Sequence, residues 1–241
     1  MSKHYFSWKH PKPTKTCAVI RLGAIGDNIM MSSILPWLKS EGFHITVYCQ
    51  SGQGHEAIKH DPHIDRMIIQ DKDAVPPQVL KQFWDHEKLK YHKWINLSES
   101  VEGTLLACPD RVQFEWPNVL RAKYLDRNYL EWTHEVAECP PPYRPKFYST
   151  KNEQEWAIKQ AGGCRNILWS LAGSSGHKVW PHVDAVIAGI MHQYQDVHVV
   201  LVGDESCQIL EQGWGKESRV HCQSGKWTIR ESLAFAEVAD L

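Results

Sequence analysis

Short apolar runs recur along the chain, and helical patterns fall between most of them. CAVIRL (17–22), HITVYC (44–49), RMII (66–69) and KWINL (93–97) lack the polar alternation of a half-exposed strand, so they read as strands buried on both faces. Residues 27–41 and 76–91 between them read as helices. In the first, Met30, Met31, Ile34, Leu35 and Leu38 fall on one stripe, and Gly42 supplies the stop. Such alternation predicts a parallel sheet with right-handed crossovers.

Residues 98–138 break the rhythm with helix-like pieces, and a proline cluster, CPPPYRPKF, follows at 139–147. Fixed φ angles and missing donors disfavour regular structure there. The stretch 139–150 therefore reads as the approach to a domain boundary, bridged by a helix over 151–161 that Gly162 and Gly163 end. A second series then begins, with strands at 166–171, 197–202 and 218–222. The clearest helix is 183–194, where Val183, Val186, Ile187, Ile190, Met191 and Tyr194 step by three and four. Another, over 228–239, carries Ile229, Leu233 and Ala236 on one face. After VADL the pattern calls for a further strand, so the second series reads as incomplete. The expected organisation is an α/β domain over 1–160, with 1–16 a basic flexible arm, and a partial α/β domain over 161–241.

The chain has 241 residues, of which 42% are hydrophobic and 23% charged, the range of an ordinary soluble globular protein. A net charge of -1 gives no global reason to expect nucleic acid. Locally the balance differs, because Lys3, Lys9, Lys12, Lys15 and Arg21 precede Asp27, the first acidic residue. With Tyr5, Phe6 and Trp8 interleaved, this arm reads as a solvated tail, or as a peripheral contact with the inner membrane surface. No apolar run approaches the roughly 20 residues of a membrane span, and no secretion signal is apparent, so a cytoplasmic location is expected. Seven cysteines without a Cys-x-x-Cys pair read as reduced, buried thiols. Eleven tryptophans suggest aromatic-rich packing or stacking surfaces.

Candidate chemistry concentrates at two turns. In VIRLGAIGDNIMMSSILPWLK (19–39), Gly23, Ala24, Gly26 and Asp27 lie where a strand hands over to a helix. Glycine there lets a ligand approach the backbone, and the helix start offers unpaired N–H groups. Asp27 has two readings, a helix cap or a base that takes a proton from a bound hydroxyl. The dinucleotide fingerprint is absent, which counts against hydride transfer. In SLAGSSGHKVWP (170–181), Gly173, Ser174, Ser175 and Gly176 offer N–H groups and hydroxyls, and Lys178 adds a cation. That set suits a diphosphate, although it is not a Walker loop. In VVLVGDE (199–205), Asp204 and Glu205 can cap a helix or bind ribose hydroxyls. HEAIKH (55–60) has one residue too many for a zinc helix, and HDPHID (60–65) reads as a turn capped by Asp61 and Pro62. No metal site is expected.

These motifs together resemble glycosyltransferase family nine, the ADP-heptose:lipopolysaccharide heptosyltransferases and their relatives. The carrying segments are VIRLGAIGDNIMMSSILPWLK, HKVWP, VVLVGDE and SGKWTIRESLAFAEVADL, and their order and spacing span residues 17–241. The resemblance implies a GT-B architecture, two Rossmann-like α/β domains facing a cleft, the second incomplete here. It implies inverting, metal-independent sugar transfer, with heptose as the candidate sugar. The donor would be a nucleotide-diphosphate sugar, ADP-linked, and the acceptor a hydroxyl of a glycan or glycolipid of the lipopolysaccharide type. No cofactor is implied beyond that substrate. In the family's terms Asp27 matches the general base, and Gly23 and Ala24 the acceptor-side turn. Ser174 and Lys178 match donor phosphate contacts, Glu205 a ribose contact, and Trp227 falls near the adenine-binding segment. A further acidic-Thr-Gly-x-x-His-like segment would follow Leu241, so the resemblance implies a second domain truncated at its C-terminus, in a fragment or a naturally short chain, with weakened donor binding; activity and inactivity of this exact chain both stand open. Two alternatives stand beside it: a non-catalytic nucleotide-binding or scaffold protein on the same frame, and a Rossmann-type reductase.

Overall fold

A computed structural model of the chain describes residues 15–71, 74–97, 116–125, 128–142, 144–173 and 178–241. The basic arm before Lys15, and Ser174, Ser175, Gly176 and His177, lie outside them. Thr16, expected in the arm, is the first residue of a strand. The chain divides into two compact units, Met1–Lys146 and Phe147–Leu241.

In the first unit, β1 (Thr16–Ile20), β2 (His44–Cys49), β3 (Arg66–Ile69) and β4 (Lys93–Asn96) form one sheet in the order β3-β2-β1-β4. Every pairing is parallel. Cys17, Ala18, Val19 and Ile20 are at most 1% exposed, as their unbroken apolar run predicts. Burial of Val19 and of Ile20 contributes about 1.5–3 kcal/mol each relative to exposure. The helices are α1 (Ile25–Ser32), α2 (Leu35–Ser40), α3 (Gln53–Ile58), α4 (Pro77–Lys88), α5 (Asn118–Leu125) and α6 (Tyr129–Ala137). On one sheet face Cys17, Val19, Ile45 and Val47 pack with Met31, Leu35 and Leu38 of α1 and α2, and with Ala137 of α6. On the other, Ala18, Ile20 and Tyr48 meet an aromatic nest of Trp84, Tyr91 and Trp94. The Tyr48 hydroxyl bonds Glu87 at 2.8 Å and Tyr91 at 2.9 Å. Burial, then these two neighbours, push its pKa up.

The helix expected over 27–41 is two helices. The Ser32 and Ser33 hydroxyls donate to the Ile29 and Met30 carbonyls at 2.7 and 2.6 Å, and Pro36 has no N–H to continue the ladder. The backbone tightens at that point, with Ser33 and Ile34 N–H groups reaching back only three residues. Helix α3, in the polar, glycine-bearing SGQGHEAIKH, has no counterpart in the sequence expectations.

The second unit starts with α7 (Lys151–Ala161), followed by β5 (Arg165–Ser170), α8 (Val183–Gln193), β6 (Val197–Val202), β7 (Val220–Cys222) and α9 (Ile229–Ala236). Its sheet runs β5-β6-β7, again parallel. Val183, Ile187 and Met191 of α8 cover one face against Val199 and Leu201, and Phe235 of α9 packs on Val200 and Val202 opposite. The division falls before α7, whereas the sequence reading placed it after residue 160. Helix α7 belongs with α9, joined to it by Trp156 and Ala161 in the cluster around Phe235 and by an ion pair. Arg230, 4% exposed, holds Glu153 through Nε at 2.5 Å and Nη2 at 2.8 Å, and also bonds the Tyr148 carbonyl. Gly162, at φ +62°, ends α7 in the left-handed region that glycine tolerates.

Burial lifts the Cys17 thiol to about 12 and those of Cys49 and Cys139 to about 11, so these thiols stay protonated. Cys164 is exposed, against the expectation of burial, and Cys108 lies outside the described residues. No helix among the described residues is long and apolar enough to cross a membrane.

Candidate functional sites in the two units

In the first unit the site grows from the carboxyl end of β1. Strand order reverses there, with β2 and β3 on one side and β4 on the other, and Ile20 lies opposite Asn96. Such switch points are where open α/β sheets admit ligands. The backbone N–H of Arg21 still bonds the Tyr48 carbonyl at 2.9 Å, which fixes where its side chain leaves the sheet. That side chain is 2% exposed, and its Nη2 lies 2.8 Å from Asp27 Oδ1. The same nitrogen donates to the Tyr129 hydroxyl at 2.7 Å, so its two hydrogens serve a carboxylate and a phenol. Tyr129 opens α6, which is capped by the Asn128 side chain accepting from the Leu130 N–H.

Asp27 sits in the first turn of α1, and its Oδ2 accepts the Ala24 N–H at 2.8 Å. Asp27 is thus not the N-cap weighed from sequence, a place that Ala24 takes; it reaches back from the third helical position to the N-cap N–H, and an ion pair is added to that bond. The carboxylate remains 27% exposed, and each oxygen keeps a further lone pair. It can still accept a hydroxyl proton from outside.

The glycines of the turn divide by function. A Cβ on Gly23 would lie 2.6 Å from both Cβ and Oδ2 of Asp27, so this position must be glycine for the carboxylate to fold back. A Cβ on Gly26 would meet nothing within 4 Å. No steric need explains Gly26, which lies inside α1. Two further residues complete the turn without having been singled out from sequence. Asn28, fully buried, donates through Nδ2 to the Gly23 and Ala24 carbonyls at 2.9 Å each. Gly54 of α3 rests on that amide, and a Cβ there would come within 2.6 Å of Asn28 Nδ2. A lone basic residue closing an apolar strand, and a polar residue inside the α1 stripe, were the signals available for Arg21 and Asn28.

The second unit has its own cluster at the carboxyl ends of β5, β6 and β7. Gly173 follows β5, and a Cβ there would lie 2.5 Å from Lys178 Cδ, so the lysine stem runs across the glycine backbone. Trp180, two residues on and 48% exposed, stacks on Trp169 with centroids 5.5 Å apart and planes at 21°. Asp204 caps the helical turn after β6, accepting from Cys207 N–H at 3.2 Å and the Ser206 hydroxyl at 2.5 Å. Those bonds, the Ser206 one first, hold its pKa below the ordinary carboxylate value. Capping thus falls to Asp204 and leaves Glu205 exposed beside Gly225, whose Cβ would lie 3.0 Å from Glu205 Cα. Trp227 is half-buried, its indole edge-on to Trp156 at 4.9 Å and against Phe235 at 5.1 Å, at the margin of the core under α9.

A cavity of about 300 Å³ is lined by Trp84, Asp85 and Lys88 of α4, by Trp94, Ile95 and Asn96 of β4, and by Val136 of α6. Among the described residues no group of three or more His, Cys, Asp or Glu side chains could hold a metal ion. Asp61 instead closes the expected turn, accepting the His63 N–H at 2.9 Å.

No protein-family model matches the chain, and no curated protein matches it in sequence. Solved structures do match it. A glycosyl transferase family 9 structure from Veillonella parvula aligns over 95% of this chain and 74% of its own, with a TM-score of 0.68 at 16% identity. The E. coli ADP-heptose lps heptosyltransferase II aligns over 93% and 77%, with a TM-score of 0.61 at 14% identity. The E. coli heptosyltransferase WaaC with ADP aligns over 86% and 74%, with a TM-score of 0.51 at 12% identity. At such identities the likeness is one of fold. The chain has the GT-B fold of the family-nine glycosyltransferases.

Proposed function

We propose that this GT-B chain is a glycosyltransferase that moves a sugar, heptose being the candidate, from an ADP-linked donor to a hydroxyl of a lipopolysaccharide-type glycan. The observation that carries the reading is the Asp27 carboxylate. It is fixed by Arg21 and Ala24 at a sheet switch point, yet keeps an exposed face.

In the proposed reaction an acceptor hydroxyl donates its hydrogen to an Asp27 oxygen. As the proton passes to the carboxylate, the hydroxyl oxygen forms a bond to the anomeric carbon from the face opposite the diphosphate. The bond from that carbon to the diphosphate oxygen breaks, and the configuration inverts. The diphosphate departs with the electron pair, and preset donors meet its charge before it develops. We assign that role to Lys178 and to the turn of Gly173, Ser174 and Ser175, with Glu205 on the ribose and no metal required. Trp227, half-buried against Trp156 and Phe235, is assigned to the adenine side of the donor.

The test is turnover of ADP-sugars on a glycan acceptor by the parent chain and by Asp27→Asn. Loss of a general base costs about 10²–10⁴-fold in kcat. Equal turnover in the two would remove Asp27 from the mechanism. Binding of ADP without any turnover by the parent would favour a nucleotide-binding scaffold on the same frame. Activity surviving a chelator is expected, and its loss would overturn the metal-free scheme.

A further inference from the structure

We propose that Arg21 and Tyr129 are positioning residues for Asp27, a role that rests on the transfer reading above and extends it to the residues that aim the base. Capping α1 needs only the 2.8 Å bond from the Ala24 N–H to Oδ2. Nothing in that role calls for a guanidinium. Yet Arg21 is sunk to 2% exposure, where an unpaired cation would be very costly, and it spends its Nη2 on Asp27 and Tyr129 together.

The geometry explains the expense. A carboxylate held by one backbone N–H can still swing about that bond. The second hold, 2.8 Å from the Arg21 nitrogen to Oδ1, removes the swing. Arg21 is itself restrained at its root by the 2.9 Å bond from its N–H to the Tyr48 carbonyl. At its tip it is restrained by the 2.7 Å bond to the Tyr129 hydroxyl, with Cζ 5.9 Å from that ring's centroid. Tyr129 is the first residue of α6 and packs on the core shared by Val19, Val47 and Leu35. The direction of the Asp27 lone pairs is thereby tied to β1, α1 and α6 at once. Orientation of this kind matters to rate, since a displacement of about 1 Å in a reacting group can cost about 10²-fold.

Two measurements test the role, one of them independent of activity. Tyr129→Phe removes a single oxygen and should lower kcat about tenfold with the donor KM unchanged. Arg21→Met should lower kcat about 100-fold, and Arg21→Lys, which keeps the charge but loses the planar fork, should fall between. In parallel, the Ala24 amide should exchange with solvent at least about tenfold faster in Arg21→Met, while the amides of β1 keep their protection. Unchanged kcat in both Tyr129→Phe and Arg21→Met would overturn the proposal. So would unchanged Ala24 exchange, or a loss of protection spread through the whole first unit, which would mark Arg21 as a packing residue. A parent chain that transfers no sugar would defeat the transfer reading, and the Ala24 exchange would still decide whether Arg21 aims the carboxylate.

Discussion

Gly23 and Asp27 approach so closely that a methyl group at residue 23 would lie 2.6 Å from the Asp27 Cβ. The first glycine of the turn is thus defined by the carboxylate it faces, and the second glycine is not. Gly23→Ala should displace Asp27 from the Ala24 N–H and cost about 1–3 kcal/mol in stability, with activity falling alongside. Gly26→Ala, inside α1 with open space around its Cβ, should stabilise by about 0.4–1 kcal/mol. Denaturant midpoints of the two variants check the contrast, and equal effects would remove the steric reading of the turn.

Gly54→Ala reaches the same turn from outside. Its methyl would press on the amide of Asn28, which holds two turn carbonyls. We expect about 1–3 kcal/mol of destabilisation from overpacking. A variant as stable as the parent would show that α3 can retreat without disturbing Asn28.

Acid should weaken the fold well before carboxylates protonate. Burial, and then the facing His198, lower the pKa of His221, whose ring stacks on His198 with a 2.8 Å nitrogen contact. Burial likewise lowers that of His134, 1% exposed beside Ser33. A histidine with a depressed folded value binds its proton more readily when unfolded. Its stabilisation is therefore present above the ordinary value near 6.5 and is lost as pH falls through the lower folded value. Unfolding free energy should decline below about pH 6.5, and His221→Gln should flatten part of that slope. An unchanged slope in the variant would refute the assignment.

Glu153 makes a second, lower pH step. Arg230, then the Thr150 bonds, bring it to about 2 from 4.5 against the opposing effect of burial. Stability from this group is present above 4.5 and is lost as pH falls toward 2. The shift corresponds to about 3 kcal/mol, so Glu153→Gln should destabilise the second unit by that order while the first unit keeps its transition. Calorimetry resolves the two.

Lys178→Ala should raise the donor KM about tenfold with the fold intact, if the lysine meets the diphosphate. An unchanged KM would transfer that role elsewhere on the turn.

Much of the fold was legible because it is written in local runs. The segments 44–49 and 66–69 coincide with β2 and β3, and 151–161 with α7, since apolar continuity and a closing Gly162-Gly163 pair are short-range signals. What stayed hidden depends on partners far along the chain. Arg21 counts as one more lysine-like charge in a basic stretch until Tyr129, 108 residues later, meets its tip. The Glu153–Arg230 pair, one of the ties between α7 and the second unit, spans 77 residues. Gly54 is required by Asn28, and no spacing rule links them. No local pattern announces that Trp227 packs on Trp156 and Phe235.

The stacked indoles of Trp169 and Trp180 have an optical consequence. Two such chromophores at 5.5 Å share their excitation and should give a paired circular-dichroism band that either ring alone cannot produce. Because Trp180 is half open to solvent, any change of its surroundings that tilts the ring would change the strength of the band. The second unit thus carries an intrinsic optical reporter of the geometry of this indole pair, readable without a label.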